Sequence, residues 1–297
     1  FAMVFGSTFG TFNAANAGNL TKTATAAITA SEITNIGADD LILQKSDTAA
    51  AVATIAFTGP NISDIILGKN DSVIQNSTVL FTPGATALTF GANIKGIDST
   101  SNDNNNIAFT TSVQGAAAQL VTIGGDISNG GDANGLIDTM KIGTASLAGN
   151  ALFTGDVAVA AITIFGGDHA AEDSVADFRK DLAATSVLLQ DATGASKVIF
   201  SATTAEEIVG TVNGGADGEG TMQVTGVDGH SFTGIIGGSN KIGTLDVDNS
   251  VIFAAAVSTN TVTVAASETA QFNAALTAGN ITLADSTAIL KVIGNVT

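Results

Sequence analysis

Two histidines are the only imidazoles in a chain of 297 residues that has no cysteine and a single arginine, Arg179. His169 lies in Gly166–Asp173 (GGDHAAED), with Asp168, Glu172 and Asp173 close by. One histidine beside carboxylates is a legitimate donor set for a divalent metal, but the plainer expectation is a solvated acidic loop. His230 lies in Gly226-Val227-Asp228-Gly229-His230-Ser231. Adjacent residues on a strand point to opposite faces, so the expectation is a turn histidine, not a Ser-His-Asp set. Asp126 and Asp132 in one glycine-rich stretch, and Asp217 and Glu219 in another, offer oxygen ligands and are the calcium candidates. Neither the tandem calcium repeat of β-helices nor an EF-hand loop accompanies them. Gly68-Lys69-Asn70 resembles the end of a phosphate-binding loop, but Asn stands where Ser or Thr is required and residue 63 is Ser, not Gly.

The spacing around these residues is that of strands and turns. Leu245-Asp246-Val247, Val262-Thr263-Val264, Ile281-Thr282-Leu283 and Leu290-Lys291-Val292 each place two apolar side chains on one face. Val251 and Phe253 do the same around Ile252, and Gly, Asn, Asp and Ser separate the runs. Only two prolines interrupt the chain, as continuous strand ladders require. There is no Trp and no Tyr, and 15 Phe are the only aromatics. Ala, Val, Ile and Leu must therefore fill a narrow, regular interior. A solenoid has one, because each coil repeats a thin cross-section.

Self-similarity points the same way. Lys141–Ile164 (KIGTASLAGNALFTGDVAVAAITI) aligns without a gap to Lys241–Val264 (KIGTLDVDNSVIFAAAVSTNTVTV), with Phe153 on Phe253 and Val157 on Val257. A shorter echo joins Phe12-Asn13-Ala14-Ala15 to Phe272-Asn273-Ala274-Ala275. Residues 1–297 are therefore read as a single all-β, elongated β-solenoid, with about 20–30 residues and two or three strands per coil. Phe153, Phe253 and Phe272 are expected inside. A short helix or a loop insertion is expected at 170–190, where Val175, Phe178 and Leu182 stand at helical spacing, and a polar surface loop at 101–106 (SNDNNN).

Composition narrows function. Charged residues are 12% of the chain, about half the usual share, and the net charge is −17. A nucleic-acid binder needs a basic footprint, so no nucleic acid is expected as a partner. The apolar runs are too short for a membrane-spanning helix, and no membrane insertion of this segment is expected. Carbohydrate-cleaving sites on β-helices use Lys, Arg and aromatic platforms. One arginine without Trp or Tyr argues against them, so no enzyme, catalytic residue or organic cofactor is expected.

The run from Gly220 (GTMQVTGVDGHSFTGIIGGSNKIGTLDVDNSVIFAAAVSTNTVTV) resembles passenger domains of rickettsial autotransporters of the outer membrane protein B type. The similarity covers about residues 129–165 and 210–297 and lies in GT-hydrophobic-x-V-TG openings, TG-x-IG connections and KIGTL-x-V strands. It implies a β-helical passenger at the bacterial cell surface, in a surface layer or in adhesion. The family's passengers precede a membrane barrel, and the sequence to Thr297 holds none, so the expectation is a passenger separated from its barrel or exported by another route. The expected function is a structural surface protein assembling with copies of itself into a layer or filament. An adhesin that contacts a host or neighbouring cell surface is the alternative, and a β-helical polysaccharide-acting enzyme the more distant one. The apolar ends, Phe1–Phe5 and Leu290–Ile293, are expected to lie at contacts.

Overall fold

The computed structural model describes residues 20–22, 26–27, 40–43, 51–55, 63–69, 76–98, 104–111, 113–130 and 137–297. Every regular element in them is a β-strand, and every strand pairing between coils is parallel. The chain is thus a β-solenoid. Its strands follow one another around the coil as β1 (Leu20–Lys22), β2 (Ala26–Ala27), β3 (Leu41–Leu43) and β4 (Ala51–Ile55). Three-stranded coils follow: β5 (Asp64–Lys69), β6 (Asn76–Phe81), β7 (Leu88–Phe90); β8 (Asn93–Asp98), β9 (Asn104–Phe109), β10 (Leu120–Ile123); and β11 (Ile127–Ser128), β12 (Ile137–Ile142), β13 (Asn150–Phe153). The coils then carry two strands: β14 (Val157–Phe165), β15 (Ser174–Phe178); β16 (Leu182–Gln190), β17 (Ser196–Phe200); β18 (Glu207–Gly214), β19 (Glu219–Val224). The last are β20 (His230–Phe232), β21 (Ile242–Val247); β22 (Val251–Phe253), β23 (Val257–Val264); β24 (Thr269–Phe272), β25 (Leu276–Leu283); and β26 (Ile289–Val292).

The change from three strands to two is a fusion. Ile127 of β11 and Ile137 of β12 both find partners in β14, at Val157 and Val159. A corner that separates two short strands in one coil is therefore straightened into one nine-residue strand in the next. Coils also shorten along the axis. Asn93 and Asp126, one coil apart, are separated by 33 residues, while Ser250 and Thr269 are separated by 19. The expected coil length covers most but not all of this range.

Strand alternation puts one side chain in two inside. β17 and β20 are buried at their first and third residues and half-exposed between. Phe153, Phe253 and Phe272 point inward as expected, each no more than 1% exposed. They belong to a chain of rings running Phe90–Phe81–Phe109–Phe153–Phe178–Phe200–Phe232–Phe253–Phe272, with neighbouring centroids 4.9 to 6.0 Å apart. Within one register column the rings stack, as Phe153, Phe178 and Phe200 do. Where the chain of rings changes column they meet edge-on, at 85° between Phe109 and Phe153 and 75° between Phe200 and Phe232. Both geometries are favourable. The column change follows volume. Phe200 is followed by Val224 in its column, while Ile208 is followed by Phe232 in the other. A large ring lost on one wall is thus regained on another, keeping the interior filled to close packing.

Three expectations are corrected. Residues 174–178 and 182–190 form β15 and β16, neither a helix nor a loop insertion. Val175, Phe178 and Leu182 fit a helical period, but Ser174, Ala176 and Phe178 also alternate, and so do Leu182 and Ala184. Parallel neighbours on both sides of each strand satisfy the backbone, which decides in favour of the alternation. Of the polar stretch 101–106, residues 101–103 lie outside the described residues. Asn104–Asn106 open β9, with Asn105 buried. His230 is not in a turn but begins β20 and is fully buried, in register with Val251.

The two KIGT segments share a local strand–turn–strand form but occupy different walls. Phe153 lies in the column of Phe178 and Phe200, and Phe253 in the column of Phe232 and Phe272. The shorter echo cannot be placed, because residues 12–15 lie outside the described residues.

Candidate functional site

Two loops far apart in sequence are tied together beside β15. The loop after β9 carries Gln114 and Gly115, and the loop after β14 carries Asp168, His169 and Glu172. Gln114 Nε2 donates to both oxygens of Asp168 at 3.1 Å, across 54 residues. The Gly115 N–H donates to Glu172 Oε1 at 2.5 Å, and the His169 N–H to Glu172 Oε2 at 3.1 Å. Gly115 has φ +76°, a backbone state that suits glycine, and faces the His169 ring. His169 Nδ1 lies 2.7 Å from Asp168 Oδ1 and 3.6 Å from Glu172 Oε2. Among the described residues, these three offer the one group of three metal-ligand atoms that converges, all within 4.8 Å of one another.

The expectation of a solvated acidic loop therefore holds for Asp168 and His169, whose side chains are about half exposed, and fails for Glu172, which is fully buried. Asp173 stands apart, accepting the Ala195 N–H. Electrostatics within the cluster are reciprocal. The Gln114 bond, then that of His169, holds the Asp168 carboxyl below its ordinary range. The Asp168 bond pushes the His169 imidazole up.

The calcium candidates are dispersed. Asp126 is exposed and its Oδ1 accepts the Asp156 N–H at 2.9 Å. Asp217 Oδ1 accepts the Lys241 N–H at 2.9 Å, and Glu219 Oε2 accepts from Ala216 and Asp191. These carboxylates cap backbone amides within and between coils, a use that the sequence around them does not reveal. Asp132 lies outside the described residues, as does Asn70 of the phosphate-loop echo. Gly68 lies within β5.

Elsewhere along the coil edge, acidic groups stack from one coil to the next. Asp64 accepts from Asn93 and Lys95, and Asn93 Oδ1 in turn accepts the Asp126 N–H. Further along, the Thr204 hydroxyl draws the Glu206 carboxyl down, but burial and the neighbouring Asp181 and Asp156 carboxylates outweigh it and push it up. Sequence inspection missed this edge because its members in successive coils are 25 to 33 residues apart and come together only by coiling.

His230 Nδ1 accepts the Glu206 N–H at 3.3 Å, and burial pushes its imidazole pKa down. Asp228 instead caps Ser250, whose N–H holds its carboxyl below the ordinary range. Ser231 points away from His230, on the half-exposed face of β20.

The fold defines the class of this protein: a parallel β-solenoid with a stacked phenylalanine core. Beyond that class, no family model, no curated protein and no solved structure matches the chain. Among the described residues, no helix is long and apolar enough to cross a membrane.

Proposed function

We propose that this chain is a structural protein of the bacterial cell surface, whose copies associate into an extracellular layer or filament. The observation that carries the reading is the outer wall formed by β19, β21, β23 and β25. Parallel register places Thr221, Thr244, Thr261 and Asn280 in one outward row, and Gln223, Asp246, Thr263 and Thr282 in the next. Strand spacing repeats such rows every ~4.8 Å. A periodic wall of short, mostly neutral polar groups can pack against a like wall with little charge to desolvate. Hydrogen bonds already link its members, Gln223 to Asp246 and Thr263 to Asp246. Rigid, repetitive faces favour repeated contacts between copies over recognition of one ligand.

Net acidity opposes this association, so divalent cations should strengthen it by screening or bridging. Sedimentation of the purified chain with calcium and with chelator tests association. Immunolabelled negative-stain microscopy of the native cell tests the location. Concentration-dependent oligomers and a labelled lattice or fibre are expected. A monomer at every concentration in both conditions, or label confined to the cell interior, would overturn the reading.

A further inference from the structure

We propose that Asp168, His169 and Glu172, all on the loop after β14, form a binding site for a transition-metal dication of the zinc class, with the loop after β9 bracing the ligands. The donor atoms are already gathered. Around a tetrahedral ion with ligands at about 2.0–2.2 Å, donors lie roughly 3.4 Å from one another. Here His169 Nδ1 is 2.7 Å from Asp168 Oδ1 and 3.6 Å from Glu172 Oε2. Inserting an ion requires the first pair to part and the second to close, by less than about 1 Å in each case.

Second neighbours hold the donors in place, as metal ligands require. Gln114 grips both oxygens of Asp168, and the Gly115 and His169 amides each hold one oxygen of Glu172. Gly167 leaves the room: a Cβ there would run into the Glu172 side chain. The glutamate is thus aimed by backbone amides, and its rotamer is set before any ligand arrives.

Charge balance points to a cation independently of that geometry. Glu172 is fully buried, and a buried carboxylate is costly unless a positive charge compensates it. Among the described residues the only basic side chain within ion-pair reach of it is His169, at 3.6 Å, which it shares with Asp168. With His169 neutral, two carboxylates face each other across one imidazole. A dication bound there would compensate both.

An imidazole in the donor set selects zinc, cobalt, nickel or copper over calcium and magnesium, which prefer oxygen alone. The exposed side of His169 and Asp168 leaves the fourth position to water. The imidazole would bind through Nδ1 and keep its proton on Nε2, so an imidazolium at this position releases one proton as the metal enters. Because Gln114 and Gly115 come from a distant loop, occupancy would also fix the strap between the two loops.

The test is titration of the whole chain with cobalt(II), read by its visible d–d bands, and with zinc and calcium, read by calorimetry. The expected result is one saturable zinc or cobalt site, at least tenfold tighter than any calcium binding. His169→Ala and Asp168→Asn should each weaken it at least tenfold. Both residues are half exposed, so these variants are expected to fold, and far-ultraviolet circular dichroism checks it. Absence of a saturable site, calcium binding as tight as zinc, or cobalt spectra unchanged in His169→Ala would overturn the proposal. The last result would place the metal elsewhere on this acidic chain. These readings are made at dilutions where copies do not associate, so they stand apart from the proposed assembly.

Discussion

Replacing Phe178 by Ala tests the core directly. Phe178 is 1% exposed and sits between Phe153 and Phe200, at centroid distances of 4.9 and 6.0 Å. Removing the ring loses its transfer free energy and leaves a cavity, together about 3–5 kcal/mol. The upper part of that range is expected, for two reasons. Strand ladders above and below hold β15 at fixed spacing to β13 and β17, so the walls cannot collapse into the gap. Two ring–ring contacts, each about 0.5–1.5 kcal/mol, disappear together. Urea unfolding followed by circular dichroism should show a lower midpoint with little change in slope. Repeat folds can lose cooperativity, so a second probe should report the same transition before a free energy is taken. Ile252→Ala is the matched control, on the outward face of β22 and 37% exposed, and should cost about 1 kcal/mol or less. If Phe178→Ala costs no more than Ile252→Ala, the ring is not a core element and the stacking account fails.

Gly210→Ala should destabilise by about 2 kcal/mol or more, since Gly210 has φ +126° and a Cβ would collide with the Ala184 carbonyl where β18 shifts register on β16; an unchanged melting temperature would refute this. His230→Val should flatten the acid side of the stability profile. Burial depresses the folded-state pKa of His230, so its contribution is fully present above the unfolded value of about 6.5 and is lost as pH falls from there through the folded value. Parallel wild-type and variant curves across that window would contradict it. The raised pKa of His169 acts in the opposite sense, giving stability that is present below the unfolded value and lost as pH rises through the folded one. His169→Ala should therefore narrow the difference between mildly acidic and mildly alkaline melting temperatures, and a wider difference would refute the tie to Asp168.

What the sequence determined by itself was the fold class and much of the inward register. Alternation at Leu245–Val247, Val251–Phe253 and Val262–Val264 reads directly as one face in and one face out, because side-chain direction in a strand is a local property. Absence of Trp and Tyr, with scattered Phe, foretold a thin interior, though not that its coils shorten along the axis. Four things were decided wholly or partly by tertiary structure. The 174–190 stretch satisfies both a helical and a strand period, and the neighbouring ladders selected the strand. His230 sits among glycines that favour a turn, yet coil stacking buries it beside Val251. The cluster of Asp168, His169 and Glu172 was half legible: the residues are close in sequence, but Glu172 is buried where Gly115, 57 residues earlier, comes to meet it. Which wall each repeat occupies was equally hidden, since Phe153 and Phe253 share a motif but not a column. A local pattern fixes which side of a strand faces inward, whereas the wall a strand joins depends on the loop lengths of every coil before it.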